Sequence, residues 1–538
     1  GPLSQQSRHT ENRRQSSILY GIPQSLHAAN GDMNPCWTCR NRRVQCDKSG
    51  TPCAKCEKAG IECFDKRPLR WVKGVAIRGR MQGYSYEDKS DGPVKFSEIA
   101  KNARSKPSSL ARALVRSSQS RSLPVTLQDP SMLNLDQTSK YYIDYYNERI
   151  CKLFIVYDSD KNPFRSLISF GLQDPVLQKA ILALAARHHA NTGQPFHRIE
   201  APSSFGLINA DRDALLFKHQ AMEALSRVIG AGDTRKNDTT VASIFLLIFL
   251  DLLESGSDGW NFHLEGAKSL ITSHQSLLNS HAGVNDGPGR TLQEIWSFIS
   301  KQIHLIETLG ATFLRPKLLS EVIPTDQEDV EQQETIEQSF LGCPEYLLKA
   351  IRFLSNERDT IAGSKLPDSA TVETHIQDTT AMLELVRNFD CYAWALNVQR
   401  SRQSPMDETN NLCTLSQAYK TGVLLYGQRV IDALTGNTTV QDELVSELLG
   451  LLNVLKDDEA LFKCVLWAIF VAGLECRVQA QRDFLVGCME KFWIDTSCLN
   501  VINAAKILQD HWKQEDSSET PSQWIFDIGC LGRDWLLI

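Results

Sequence analysis

Six cysteines within 28 residues carry the first chemistry that the sequence offers: Cys36-x2-Cys39-x6-Cys46-x6-Cys53-x2-Cys56-x6-Cys63. They form one C-x2-C-x6-C unit copied again 17 residues further on. A two-residue spacer turns both thiols of a pair toward one point, the usual geometry for thiolates about 2.3 Å from zinc. Two tetrahedral Zn2+ sites need four ligands each, so six thiolates suffice only if two sulfurs are shared. The pseudo-symmetry of the repeat nominates the first cysteine of each unit, Cys36 and Cys53. The competing use of six cysteines is a three-disulfide framework, with 15 possible pairings. The even repeat and the nine further cysteines scattered singly from Cys151 to Cys530 favour metal, since isolated thiols belong to a reducing compartment.

The two halves of the repeat differ in charge. Between Cys39 and Cys46 lie Arg40, Arg42 and Arg43 with no acid, whereas between Cys56 and Cys63 Lys58 stands against Glu57 and Glu62. The first half is therefore expected to face DNA, with a short helix opened by its cysteine pair entering the major groove, where Arg takes guanine O6 and N7 together. A competing role for these arginines is neutralising the net negative charge of six thiolates around two Zn2+ ions. Lys55 and Lys58 suit phosphate contacts from the second half. Beyond Cys63 a basic strip follows, with Lys66, Arg67, Arg70, Lys73, Arg78 and Arg80 accompanied by the single acid Asp65. Such a strip tracks phosphates and also reads as a nuclear import signal.

The segment CWTCRNRRVQCDKSGTPCAKCEKAGIEC resembles the DNA-binding domain of the fungal Zn2Cys6 binuclear zinc cluster transcription factors, all six cysteines matching in position and spacing. The resemblance implies two Zn2+ ions bridged by Cys36 and Cys53. It also implies base reading by Arg43, typically in a CGG triplet, and backbone-contacting or supporting roles for Arg40 and Arg42. One departure is visible: the family's loop proline usually lies two residues before the fourth cysteine, and here Pro52 directly precedes Cys53. Further on, segments such as LQKAILALAARHHA, WNFHLEGAKSLI and LWAIFVAGLECRVQAQRDFL are similar to the fungal-specific transcription factor domain that commonly follows this cluster. That likeness implies a nuclear regulator of RNA polymerase II genes, working with double-stranded DNA and the transcription machinery or co-regulators. Its regulatory domain would hold an activator in check or answer a small-molecule effector.

The elements that must position these residues follow from composition. At 538 residues, with 42% hydrophobic and 23% charged, the chain has room for two or three domains. Its net charge of −6 conceals a split: residues 1–130 hold 23 basic and 11 acidic side chains, leaving a strongly acidic remainder. One end suits a polyanion and the other does not. Gly1-Pro2-Leu3-Ser4 reads as the remnant of a cleaved tag, and residues 1–33 as a disordered tail. Residues 34–65 make the zinc module and 66–134, rich in Ser, Gly, Pro, Lys and Arg, a flexible basic linker. No sustained heptads follow the cluster, so the protein either binds DNA as a monomer or forms a homodimer through its large acidic part.

Residues 135–538 show repeated helical periodicity and little strand-like alternation, which predicts an all-α domain. Asp174-Pro175 is an N-cap followed by an N1 proline. Further helices are expected at 211–229, 240–254, 291–311, 344–356, 376–398, 413–434, 441–455, 458–477, 480–491 and 497–512. The most apolar run, Val241 to Leu253, has 13 residues and includes Asp251, short of the roughly 20 that a membrane span needs. His188, His189, His263 and His304 are expected to pack or to lie at the surface rather than to ligate a metal, and the tyrosines at 141, 142, 145 and 146 and the dispersed cysteines to pack. There is no GxSxG, GxxxxGK[ST] or HExxH motif, so nothing points to an enzyme. A rival reading makes the helical part a small-molecule sensor or interaction scaffold whose cluster has little sequence preference.

Overall fold

The computed structural model describes residues 35–47, 52–64, 132, 135–197, 205–231, 237–257, 259–280, 289–313, 336–363, 369–399, 406–518, 523–528 and 534–538. The chain divides into two units, residues 1–119 and 120–538. In the first, the described residues form two five-residue helices, α1 (Trp37–Asn41) and α2 (Ala54–Lys58). The basic strip from Lys66 to Arg80 lies outside the described residues.

The described residues of the second unit are predominantly helical, and the only bridge among them is an isolated antiparallel one between Ser257 and Trp535. It begins with α3 (Gln137–Tyr145), which runs through a π turn (Tyr146–Ile150) into Cys151–Leu153. Then come α4 (Pro163–Gly171), α5 (Pro175–Asn191), α6 (Phe205–Ala231), α7 (Asn237–Glu254), α8 (Gly259–Ser280) and α9 (Gly289–Ala311). Next are α10 (Glu345–Gly363), α11 (Ser369–Arg387), α12 (Cys391–Gln399), α13 (Met406–Thr435) and α14 (Asp442–Leu455). The chain closes with α15 (Glu459–Phe462), α16 (Leu466–Glu475), α17 (Gln479–Thr496), α18 (Asn500–Ser517) and α19 (Trp524–Asp527).

Two helices apolar on every side form the centres of packing, as such helices must in water. In α7, every residue from Thr240 to Leu253 is buried, and Phe245 and Phe249 meet Phe154, Phe164, Phe298 and Phe340 in edge and stacked contacts. Asp251, the acid within this run, is matched by His263 Nδ1 at 2.8 Å and Lys218 Nζ at 4.0 Å. In α16 all ten residues are buried, and Trp467 stacks on Tyr419 of α13. That approach needs Gly422, where a Cβ would meet Trp467 Cζ3 at 2.6 Å. Among the described residues no helix is long and apolar enough to cross a membrane.

Two helices predicted as continuous are broken. The 376–398 helix ends at Arg387 because Asp390 caps a new one, its Oδ1 accepting from the N–H groups of Tyr392 and Ala393. The 458–477 helix breaks at 463–465, where the Cys464 carbonyl accepts from the Tyr419 hydroxyl at 2.6 Å. The helix α8 was missed, although its sequence carried part of the family likeness.

Two of the candidate histidines, His188 and His189, pack with the tyrosines, whereas His263 pairs with Asp251 and His304 is exposed. Tyr142 and Tyr146 are buried, while the Tyr145 and Tyr141 hydroxyls hydrogen-bond His188 Nδ1 (2.8 Å) and His189 Nε2 (3.2 Å). Burial, helped by the nearby Arg149 and His189, lowers His188 to about 4. An unfolded histidine takes its proton near pH 6.5, so folding is penalised as pH falls from there toward 4, by up to about 3 kcal/mol. Urea unfolding of wild type and His188→Gln at pH 7 and pH 4.5 checks this, because the glutamine variant should lose less stability on acidification.

Candidate metal centre and nucleic-acid interface

Each half of the cysteine repeat builds the same short piece of backbone. Cys36 and Cys53 take the N-cap positions of α1 and α2, the second cysteine of each pair sits on the following turn, and Arg42 and Ala59 close the helices. The next residue turns left-handed in both halves, Arg43 at φ +56° and Gly60 at φ +63°. The N–H after it then reaches back to the second cysteine's carbonyl, Val44 to Cys39 at 3.0 Å and Ile61 to Cys56 at 3.2 Å. This reversal sends each chain on to its third cysteine.

Four sulfurs converge. The distances are 3.7 Å for Cys36–Cys53, 3.8 Å for Cys36–Cys56, 3.6 Å for Cys39–Cys53 and 3.7 Å for Cys39–Cys56. A tetrahedron of thiolates about 2.3 Å from a central zinc has edges of about 3.8 Å, so the cage has zinc's dimensions. Disulfide sulfurs would stand about 2.05 Å apart, and all described cysteines are free thiols. Cys53 also belongs to a second donor group with Cys46 and Asp47. Its N–H lies 3.5 Å from Cys63 Sγ.

Burial drives the Cys39 thiol up to about 12, and the adjoining Cys36 and Cys53 sulfurs add to the rise. Cys56 is raised for the same reasons. For Cys36 and Cys53 burial is outweighed by hydrogen bonds from the Cys39 and Cys56 backbone N–H groups, and both are lowered. Loading a cation into this cage therefore displaces protons.

Residues 34–71 match the fungal Zn(2)-Cys(6) binuclear cluster domain, and residues 141–538 match the fungal specific transcription factor domain. The chain belongs to the fungal-specific transcription factor family. It is 24% identical to the acriflavine sensitivity control protein acr-2 of Neurospora crassa over 421 residues, 73% of this chain and 65% of that relative's length. Over 62 residues, 11% of this chain and 10% of theirs, it is 37% identical to the transcription factors phomR and phomR' of Diaporthe leptostromiformis. No solved structure matches.

The cluster domain that matches is one that holds two zinc ions, and the sulfur cage above fits such an ion. Both domains that match are transcription factor domains rather than enzyme families. Arg40, Arg42 and Arg43 are exposed and make no ion pair with a described carboxylate; Lys55 and Lys58 are exposed as well. Sequence reasoning missed the latch that closes the module. The Thr38 hydroxyl donates to the Glu62 carbonyl (2.9 Å) and accepts from the Phe64 N–H (3.0 Å), while the Trp37 N–H donates to the Phe64 carbonyl at 2.6 Å. It also missed Asp47, whose Oδ2 accepts from the Lys55 N–H at 3.1 Å on the first turn of α2. A threonine beside a metal-ligand cysteine and an aspartate after one carry no pattern that marks either role.

Proposed function

We propose that the protein is a nuclear, sequence-specific regulator of RNA polymerase II genes that reads CGG-like triplets through Arg43. In this reading all six cysteines, Cys36, Cys39, Cys46, Cys53, Cys56 and Cys63, hold the two zinc ions. Cys36 and Cys53 are the shared sulfurs, a reading supported by the equivalent N-cap places of the two residues and by the place of Cys53 in both donor groups. Arg40 and Arg42 flank the reading residue. Lys55 and Lys58, with Lys66, Arg67, Arg70, Lys73, Arg78 and Arg80, grip phosphates. The helical unit, residues 135–538, carries regulation.

The observation that carries this reading is the broken symmetry of the repeat. Two backbones of the same design present Arg40, Arg42 and Arg43 in one half and Glu57, Ala59 and Gly60 in the other. Scaffold demands would act alike on both halves, whereas a polyanion docking on one face would distinguish them. Selection of bound sequences from random DNA is the test. A triplet consensus that disappears in Arg43→Ala, with weak binding retained, supports base readout, whereas an unchanged profile overturns it. For the lysines the expected change is uniform: Lys55→Ala or Lys58→Ala weakens all sequences alike and makes the slope of log affinity against log salt shallower by about 0.9 each. Titrations at several salt concentrations measure this.

A further inference from the structure

One arginine in the helical unit serves two buried acids and an exposed turn at the same time. Arg429 of α13 holds Glu475, the last residue of α16, through Nε at 2.7 Å and through Nη2. Its Nη1 donates to Asp432 Oδ2 at 2.6 Å and to the Thr439 carbonyl at 2.9 Å. The Asp432 and Glu475 side chains are only 6% and 4% exposed, and among the described residues Arg429 is the ion-pair partner of both. Glu475 in turn accepts from the Trp524 indole N–H at 2.7 Å, which seats α19 against Tyr426 and Phe313. Thr439 lies exposed in the turn between α13 and α14, yet its hydroxyl donates to Asp432 Oδ1 at 2.7 Å and its N–H to Asp432 Oδ2 at 2.8 Å. A surface hydroxyl is thus one residue's width from a buried charge network.

We propose that Thr439 is a phosphorylation site for an acid-directed protein kinase, and that its phosphate draws Arg429 off Glu475 and so unseats Trp524. Asp442 and Glu443, both exposed, stand three and four residues after Thr439, the negative charge that a kinase with a basic substrate groove reads. Thr438, equally exposed, has the neutral Gln441 three residues on. The transfer moves the γ-phosphoryl group of ATP to Thr439 Oγ1: the bond to ADP breaks, a P–O bond to Oγ1 forms and the hydroxyl proton leaves to solvent. The product carries about −1.5 to −2 charges at pH 7 and has lost the donor that Asp432 uses. Asp432 repels this dianion, and the cation within its reach is Arg429, whose Nη1 already bonds the Thr439 carbonyl. Once the guanidinium turns outward, Glu475 is a buried carboxylate without its counter-ion. It relaxes by taking up a proton or moving toward water, and either weakens the acceptor that holds the Trp524 N–H.

Treatment of the full chain with casein kinase 2 and Mg-ATP, followed by mass-spectrometric mapping and amide hydrogen exchange, tests both halves of this. Phosphate should appear on Thr439 and not on Thr438. It should be lost from Thr439 in Asp442→Ala/Glu443→Ala, which keeps the threonine and its bonds to Asp432. Amides of residues 524–528 should exchange at least about tenfold faster in the phosphorylated wild type than in that kinase-treated variant, the equivalent of one hydrogen bond to a charged group, with α7 unchanged. Glu475→Gln should blunt the acceleration, because no uncompensated charge is left behind when Arg429 turns away. Absence of phosphate at Thr439, or its persistence without Asp442 and Glu443, overturns the site. Phosphate on Thr439 with unchanged exchange at 524–528 overturns the release of Trp524, as does acceleration spread equally over α7 and α16. Full acceleration in Glu475→Gln overturns the route through Glu475.

Discussion

Replacing Arg43 by glycine should make the zinc module more stable and nearly blind to sequence. Arg43 occupies the left-handed region at φ +56°, where an L side chain costs on the order of 1–2 kcal/mol. Its repeat partner, Gly60, meets the same backbone demand without that cost. Relief of strain, less the extra freedom glycine gains in the unfolded chain, leaves a net gain of about 0.5–1 kcal/mol. The loss is larger: a bidentate arginine–guanine pair contributes about 1–3 kcal/mol of discrimination, roughly ten- to a hundredfold in affinity for the preferred triplet. Chelator competition for zinc and DNA titration on specific and scrambled duplexes should therefore move in opposite directions. Gly60→Ala is the control. A Cβ there meets nothing within 4 Å, so any destabilisation, expected near 1 kcal/mol, reports the backbone alone. If Arg43→Gly instead lowers zinc retention, the arginine supports the metal centre by neutralising its charge, and base readout loses its main support.

That prediction shows where sequence sufficed and where it did not. Cysteine spacing is a covalent ruler, and the two C-x2-C pairs among its five intervals supply the four thiols that converge, because two residues between ligands leave little conformational choice. Charge asymmetry was equally open, since Arg40, Arg42 and Arg43 must project from a module too small to bury them. The left-handed turn at Arg43 was hidden: nothing in the letters distinguishes an arginine forced to positive φ, and only Gly60 at the equivalent place hints at it. In the helical unit, periodicity located most helices, but it could not foresee tertiary competition for backbone groups. The Cys464 carbonyl leaves its helix for the Tyr419 hydroxyl, 45 residues away, and no local signal announces such a partner.

Stripping the metal should separate the two units of the chain. The described part of the zinc module has only Thr38 and the cysteines Cys36, Cys39, Cys53 and Cys56 in its buried interior, and no aliphatic or aromatic core. Its two helices are five residues each, far below the length at which a helix holds itself in water. Zinc coordination therefore supplies nearly all of its folding free energy, of order 10 kcal/mol in small zinc modules. The helical unit packs around α7 and α16 with a large apolar core, and no cluster of metal ligands is found among its described residues. Excess chelator at neutral pH should thus abolish DNA binding and expose all six thiols to a maleimide reagent, while the far-ultraviolet helical signal falls by less than about a tenth. Cys53→Ser should reproduce the loss without chelator, and more severely than Cys46→Ser, because a shared sulfur serves both ions whereas an unshared one serves a single ion. Equal zinc loss in the two variants would remove Cys53 from the bridging position. A collapse of the whole helical signal would show that the larger unit depends on the smaller one for its fold.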